Sequence, residues 1–114
     1  MGEQAFEWRI QKVLESKGWL CINVAKSTPF DLVAIKNMLP IVIELKGKKT
    51  SYPQKQLLKQ RKLCKETGNE FVIIRQSKKK GKIIISEGYS QGYLDTGIKN
   101  VIQRDLKEWV EKID

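Results

Sequence analysis

Thr28-Pro-Phe-Asp31-Leu-Val-Ala-Ile-Lys-Asn-Met-Leu-Pro-Ile-Val-Ile-Glu44-Leu-Lys46 is the stretch whose reading decides the fold. It reads as two short apolar strands, each carrying an acid where a core strand ordinarily carries Val or Ile. Side chains alternate faces along a strand, so Glu44 and Lys46 project from the same side of the sheet. A buried charge is costly unless it is paired or bound to metal. An acid in one apolar strand facing an acid-x-lysine in the next is therefore a candidate metal site with a cation beside it.

Upstream, Phe6, Ile10, Val13 and Leu14 have the spacing of an amphipathic helix over residues 3–17, stopped by Lys17-Gly18. A first strand, Trp19 to Val24, and a turn at Ser27-Thr28-Pro29 lead into a second strand, Phe30 to Lys36. Asn37 to Pro40 makes a hairpin connection to a third, Ile41 to Lys46. Downstream, a basic polar loop from Lys48 to Pro53 precedes a helix from Pro53 to Thr67, with Pro53 suited to its first turn and Gly68-Asn69 closing it. Phe71 to Arg75 is a fourth strand. Strand, helix, strand in that order predicts a crossover, with the third and fourth strands adjacent and parallel. Lys78 to Gly81 is a hairpin tip and Lys82 to Ser86 a fifth strand. Residues 88–97 read as irregular, and Ile98, Val101, Ile102, Leu106, Trp109, Val110 and Ile113 outline a terminal amphipathic helix. The expectation is one α/β domain over residues 1–114, a central mixed five-stranded sheet flanked by helices.

A length of 114 residues suits one such domain. The net charge of +9, from 22 basic and 13 acidic residues, suits a polyanion, with nucleic acid ahead of an anionic membrane surface. Charge alone is equally the mark of a lysine-rich solvated surface. Cys21 and Cys64 lack metal-ligand spacing and are too few for a disulfide scaffold, so both are expected to be buried free thiols. No signal peptide or membrane-spanning run is apparent, and a cytoplasmic setting is expected. The chain contains no histidine. That removes Ser-His-Asp and Cys-His catalysis and histidine-ligated zinc, and leaves Asp, Glu, Lys and Tyr to carry any acid–base or metal chemistry.

Glu7 joins Asp31 and Glu44 as a candidate, because it borders the apolar stripe of the first helix rather than its open face. Singly, each has a plainer explanation. Glu7 suits the positive end of a helix, Asp31 a turn after Pro29, and Glu44 with Lys46 a cross-strand ion pair. Jointly they suit phosphodiester hydrolysis, which needs a nucleophilic water, charge neutralisation and help for the leaving oxygen. Mg²⁺ takes hard oxygen ligands and keeps several waters, so Asp31 and Glu44, with the backbone carbonyl of Leu45 as a third, suffice. Mg²⁺ lowers the pKa of a bound water and polarises the phosphate. Lys46 is placed to orient or deprotonate that water, or to stabilise developing negative charge.

Asp31, a twelve-residue gap, Glu44-Leu45-Lys46 and the upstream helical Glu7 together resemble the PD-(D/E)XK nuclease superfamily. The layout looks most like the archaeal Holliday junction resolvases and related archaeal-virus nucleases, over roughly residues 3–75. The resemblance implies a restriction-endonuclease-like fold, with Asp31 and Glu44 as Mg²⁺ ligands, Mn²⁺ as a substitute, Lys46 as the catalytic lysine and Glu7 as the first-helix acid. It places Ser27 and Thr28 where resolvases carry a serine loop near the scissile phosphate. It matches Gln56 to a glutamine that contacts a water or the phosphate. The family's Pro-Asp pair appears here as Pro29-Phe30-Asp31, and the basic glycine-containing N-terminal segment of resolvases is missing.

Lys48, Lys49, Lys55, Lys59, Arg61, Lys62 and Lys65 surround the proposed site, and Lys78-Lys79-Lys80 adds a second patch. Such contacts supply affinity without sequence choice, and no base-reading motif is present, so DNA shape is the expected target. A two-fold junction calls for two active sites, hence a homodimer, with the fifth strand and Tyr89 to Leu94 as its expected interface. The reading is a Mg²⁺-dependent DNA endonuclease selective for branched or junction DNA, acting in recombination and repair. Its alternatives are a nuclease of the same fold acting on single-stranded, flap or linear DNA, and a basic DNA-binding module of that fold that does not cut.

Overall fold

In the computed structural model, which describes residues 3–24, 30–91, 98 and 102–112, the deciding stretch forms a hairpin. The elements run α1 (Glu3–Ser16), β1 (Leu20–Asn23), β2 (Leu32–Lys36), β3 (Leu39–Lys46), α2 (Gln54–Thr67), β4 (Glu70–Gln76), β5 (Lys82–Tyr89), β6 (Ile102–Asp105) and α3 (Leu106–Lys112). Asn37 and Met38 both take left-handed backbone angles, φ 54° and 65°, and link β2 to β3 as a two-residue turn. Its twist matches that of the paired strands. Leu39 and Pro40 therefore already belong to β3. Proline is tolerated at position 40 because pairing with β4 begins only at Ile41.

Among the described residues the sheet has six strands in chain order, antiparallel throughout except for the β3–β4 pair. That pair is parallel, as the strand–helix–strand order requires, with Glu44 opposite Ile73 and Lys46 opposite Arg75. Gly68, at φ 72°, ends α2 in a left-handed cap and lets the chain enter β4 at once.

The expected five-stranded sheet and long terminal helix require correction. Ile102–Asp105 is a sixth strand on the open edge of β5, and among the described residues of this segment the helix runs over Leu106–Lys112. The apolar spacing over this segment suits either state locally. Pairing along the exposed edge of β5 decides it, because an unpaired edge leaves its backbone groups unsatisfied. Asp105 then marks the junction, its Oδ1 accepting a hydrogen bond from the Lys107 N–H at 3.0 Å, as an N-cap does. β5 also extends to Tyr89, past the expected Ser86, through a register irregularity at Phe71/Val72. Gly88 permits this: a Cβ there would lie 2.2 Å from the Phe71 ring.

The two faces differ. α1 packs on α3, β1 and β3, and α2 packs on β4 and β5 from the other side. The α1/α3 face buries Phe6, Ile10, Leu14, Trp19, Leu32, Ile43, Ile74 and Ile85 in the larger core. The α2 face holds a smaller one: Val42, Cys64, Phe71 and Ile73, with Phe30, Tyr52, Leu57 and Tyr89 at its rim. Tyr89 thus packs inward, while residues 92–94 of the expected dimer interface lie outside the described residues. Both cysteines are free thiols, Cys64 buried and Cys21 half-buried, and burial pushes each up to about 11. Among the described residues no helix is long and apolar enough to cross a membrane.

Candidate active site

Alternation along β3 sends Ile41, Ile43 and Leu45 into the larger core and Val42, Glu44 and Lys46 to the α2 face. Leu32 pairs with Ile43, so Asp31, one residue earlier at the entrance to β2, stands opposite Glu44. Asp31 occupies a bend rather than the strand itself. Its neighbour Phe30 packs edge-on against Phe71, ring centroids 5.2 Å apart, which anchors the backbone at that point. The Leu45 N–H donates to Asp31 Oδ2 at 2.8 Å and fixes the carboxylate. In an extended strand the N–H and C=O of one residue point the same way, so the Leu45 carbonyl is also directed to the Asp31 side.

Glu44 is 3% exposed. Gln56, in the first turn of α2, donates through Nε2 to Glu44 Oε2 at 3.1 Å, and Lys46 Nζ lies 3.3 Å from the same oxygen. Two donors on one oxygen set the rotation of the carboxylate. The Asp31 and Glu44 carboxyls lie within hydrogen-bonding reach of each other. Burial, then the hydrogen bond and negative charge of Asp31, push Glu44 up to about 7, against the opposing pull of Lys46.

Such a pair is electrostatically uncomfortable alone and suited to a divalent cation. Two carboxylates and a carbonyl are hard oxygen donors, and no sulfur or imidazole intrudes, so the set fits Mg²⁺. Glu7 lies half-buried on α1, the helix covering the opposite face, and has interactions of its own. Among the described residues no three acidic or cysteine side chains form a metal-holding cluster. Asp31, Glu44, Lys46 and Gln56 come together, and Glu7 does not complete a three-acid metal cluster with Asp31 and Glu44. Ser27 and Thr28 lie outside the described residues.

The basic residues divide. Lys48, Lys49, Lys55, Lys59, Lys62 and Lys65 are exposed, on the β3–α2 loop and the outer side of α2. Lys62 is 4.0 Å from Glu66, one turn on. Arg61 is half-buried and donates to the Gly88 carbonyl at 3.1 Å, tying α2 to β5 rather than facing solvent.

Three participants were not singled out from the sequence. Tyr52 places its ring under Lys46, 4.7 Å from Nζ to the ring centroid, and its hydroxyl donates to Gln60. Gln60 is 1% exposed and lies one turn beyond Gln56, a spacing that could have marked it. Arg75 donates to the carbonyls of Gly47 at 3.0 Å and Thr50 at 2.5 Å, fastening the β3–α2 loop. Burial and the Glu44 charge raise the Tyr52 hydroxyl well above the ordinary tyrosine range, so it remains a donor at working pH.

No protein-family model matches this chain. No curated protein matches it. The structure is similar to that of Hjc, a Holliday junction resolvase from the archaeal hyperthermophile Archaeoglobus fulgidus. The two superpose with a TM-score of 0.62 at 16% sequence identity, over 98% of this chain and 89% of that one. The likeness shows a restriction-endonuclease-like fold, the one implied by the resemblance to PD-(D/E)XK nucleases.

Proposed function

We propose that this chain is a Mg²⁺-dependent endonuclease that hydrolyses phosphodiester bonds in DNA and selects branched substrates by shape. The observation that carries the reading is the carboxyl pair of half-buried Asp31 and buried Glu44, with Lys46 on an oxygen of Glu44. The resolvase activity of the similar Archaeoglobus protein favours a junction as substrate.

Asp31, Glu44 and the Leu45 carbonyl would hold Mg²⁺, with Mn²⁺ as a substitute. When bound, the ion supplies an activated water and neutralises phosphate charge. The Leu45 N–H would hold Asp31 and Gln56 would hold Glu44 in place for that ion. Lys46 carries its ammonium at the edge of the pair, where it orients the attacking water or offsets charge growing on the phosphate. Glu7 is assigned a supporting role beyond the inner ligands. Exposed Lys48, Lys49, Lys55, Lys59 and Lys62 present charge to successive phosphates, which fixes position on the duplex without reading bases. Ser27 and Thr28 are assigned to the scissile phosphate. A homodimer would supply the second active site that a two-fold junction requires.

The test incubates the purified protein with Mg²⁺ and a labelled four-way junction, with linear duplex and single strand alongside and Glu44→Ala as control. Paired nicks near the crossover, lost in the variant, are expected. Cutting of linear or single-stranded DNA alone would keep the nuclease and remove junction selectivity. Junction binding with no cutting under Mg²⁺ or Mn²⁺ would leave a binding module.

A further inference from the structure

We infer that Tyr52 is a positioning residue for Lys46, holding the ammonium over its ring and being held in turn by Gln60 and the Arg75-fastened loop. The inference rests on the proposed nuclease reading, in which Lys46 acts on the reacting groups.

A lysine on a strand is a poor fixed charge by default, since four rotatable bonds separate the ammonium from the backbone. Lys46 escapes this. Its side chain is only 12% exposed, with Glu44 Oε2 3.3 Å from Nζ on one side and the Tyr52 ring 4.7 Å away on another. Attraction between an ammonium and an aromatic face strengthens as water is excluded. The carboxylate is a partner that would change: a cation held by Glu44 would draw electron density from it and weaken its hold on Lys46. The ring carries no such conflict. It keeps the ammonium in place while Glu44 serves the cation.

Tyr52 itself needs a reason to stay, because it lies in the loop between β3 and α2. Two contacts supply one. Its hydroxyl donates to Gln60, a buried amide on α2. Arg75 stands opposite Lys46 in the sheet, and its guanidinium binds the Gly47 and Thr50 carbonyls. Those bonds tie the guanidinium to the loop backbone and fix the loop two residues before Tyr52.

Tyr52 also packs at the rim of the smaller core, so a loss of activity alone would not separate positioning from packing. The test therefore reads Lys46 directly. In protein with ¹³C-labelled lysine, the Lys46 ε-methylene is expected upfield of the other lysines from the ring current, and Lys46→Arg assigns it. Tyr52→Leu should return that signal to the bulk position and lower kcat by about 10- to 100-fold with KM within about two-fold, a pattern expected of lost orientation. Tyr52→Phe keeps the ring but loses its bond to Gln60. It should retain part of the shift, broaden the signal and recover most of kcat. If Tyr52→Leu melts early, Tyr52→Phe and Gln60→Glu, which keeps an acceptor, carry the comparison. An unshifted Lys46 methylene in the wild type, or a wild-type kcat in Tyr52→Leu, overturns the assignment. A wild-type protein that cuts no DNA but shows the shift sinks the nuclease reading and leaves the geometry standing.

Discussion

On the side covered by α1 and α3, the sheet presents Leu32, Ile43, Ile74 and Ile85, all fully buried and all aliphatic. On the side covered by α2, neighbouring positions of the same strands present Asp31, Glu44, Lys46 and Arg75 beside a cluster of four buried apolar residues. One register thus serves two ends. The first face removes apolar surface from water and supplies the larger share of stability. The second spends part of its burial on groups that are costly to desolvate. Glu44 shows the cost directly, in a carboxyl pushed up to about 7. The proposed site sits where the sheet is least comfortable, and the other face carries the stability.

Substitutions on the two faces should separate cleanly. Glu44→Gln is expected to lower metal-dependent cleavage on the order of 10³-fold, comparable with removing a key electrostatic group elsewhere, without loss of the folded state by circular dichroism. Ile74→Ala, on the other face, should cost about 2–5 kcal/mol by urea denaturation while leaving kcat per folded molecule unchanged. If Ile74→Ala altered kcat more than stability, the division between faces would fail.

The same glutamate predicts a stability gain. Its folded-state pKa lies above the unfolded value, so between pH 4.5 and about 7 the folded protein holds a proton that the unfolded chain has released. Stability from this group is therefore fully present at lower pH and is lost as pH rises through that window. In metal-free protein Glu44→Gln should be more stable than wild type at pH 8 by about 1–3 kcal/mol, with the gap closing towards pH 4.5. Added Mg²⁺ should stabilise wild type alone. Equal stabilities at pH 8 would show that the pair is already relieved without a cation.

Gly88→Ala sharpens the comparison within the smaller core, since the new methyl would meet the Phe71 ring at 2.2 Å. A cost of about 1–3 kcal/mol is expected from overpacking, read from thermal melts, with weaker cleavage because Phe71 supports Phe30 and hence Asp31. The smallest effect belongs to the surface. Lys55→Ala with Lys59→Ala should reduce the salt dependence of DNA binding by up to about two charges' worth, measured by anisotropy, with no change in melting temperature. An unchanged slope would place the DNA elsewhere.

Most of the architecture was readable because its signals are local. Asp31, Glu44 and Lys46 announce themselves as charges inside apolar runs, Pro53 and Gly68 bracket α2, and strand–helix–strand order dictates the parallel pair. The terminal segment is not legible in this way, because Ile102 and Leu106 satisfy a helical spacing as well as a strand followed by a capped helix. The choice belongs to the vacant edge of β5, which no local window contains. Tyr52 and Arg75 were missed for a related reason. An aromatic ring in a polar loop and an arginine ending a strand carry no sign of Lys46 until the crossover brings β4 beside β3.

The two-residue turn at Asn37-Met38 has a consequence for the order of events in folding. It joins Asp31 and Glu44 across a hairpin short enough to close early, because a short loop costs little entropy. The surroundings of Lys46 wait for α2 to form and for β4 to dock in parallel, a non-local and slower step. The short hairpin is therefore expected to bring Asp31 and Glu44 together before Lys46 is set, so a partly folded molecule would hold the carboxyl pair ahead of its lysine. In a chevron experiment, Ala34→Gly in the hairpin should chiefly slow folding, and Ile73→Val in β4 should chiefly speed unfolding. The reverse pattern would put the docking of β4 first.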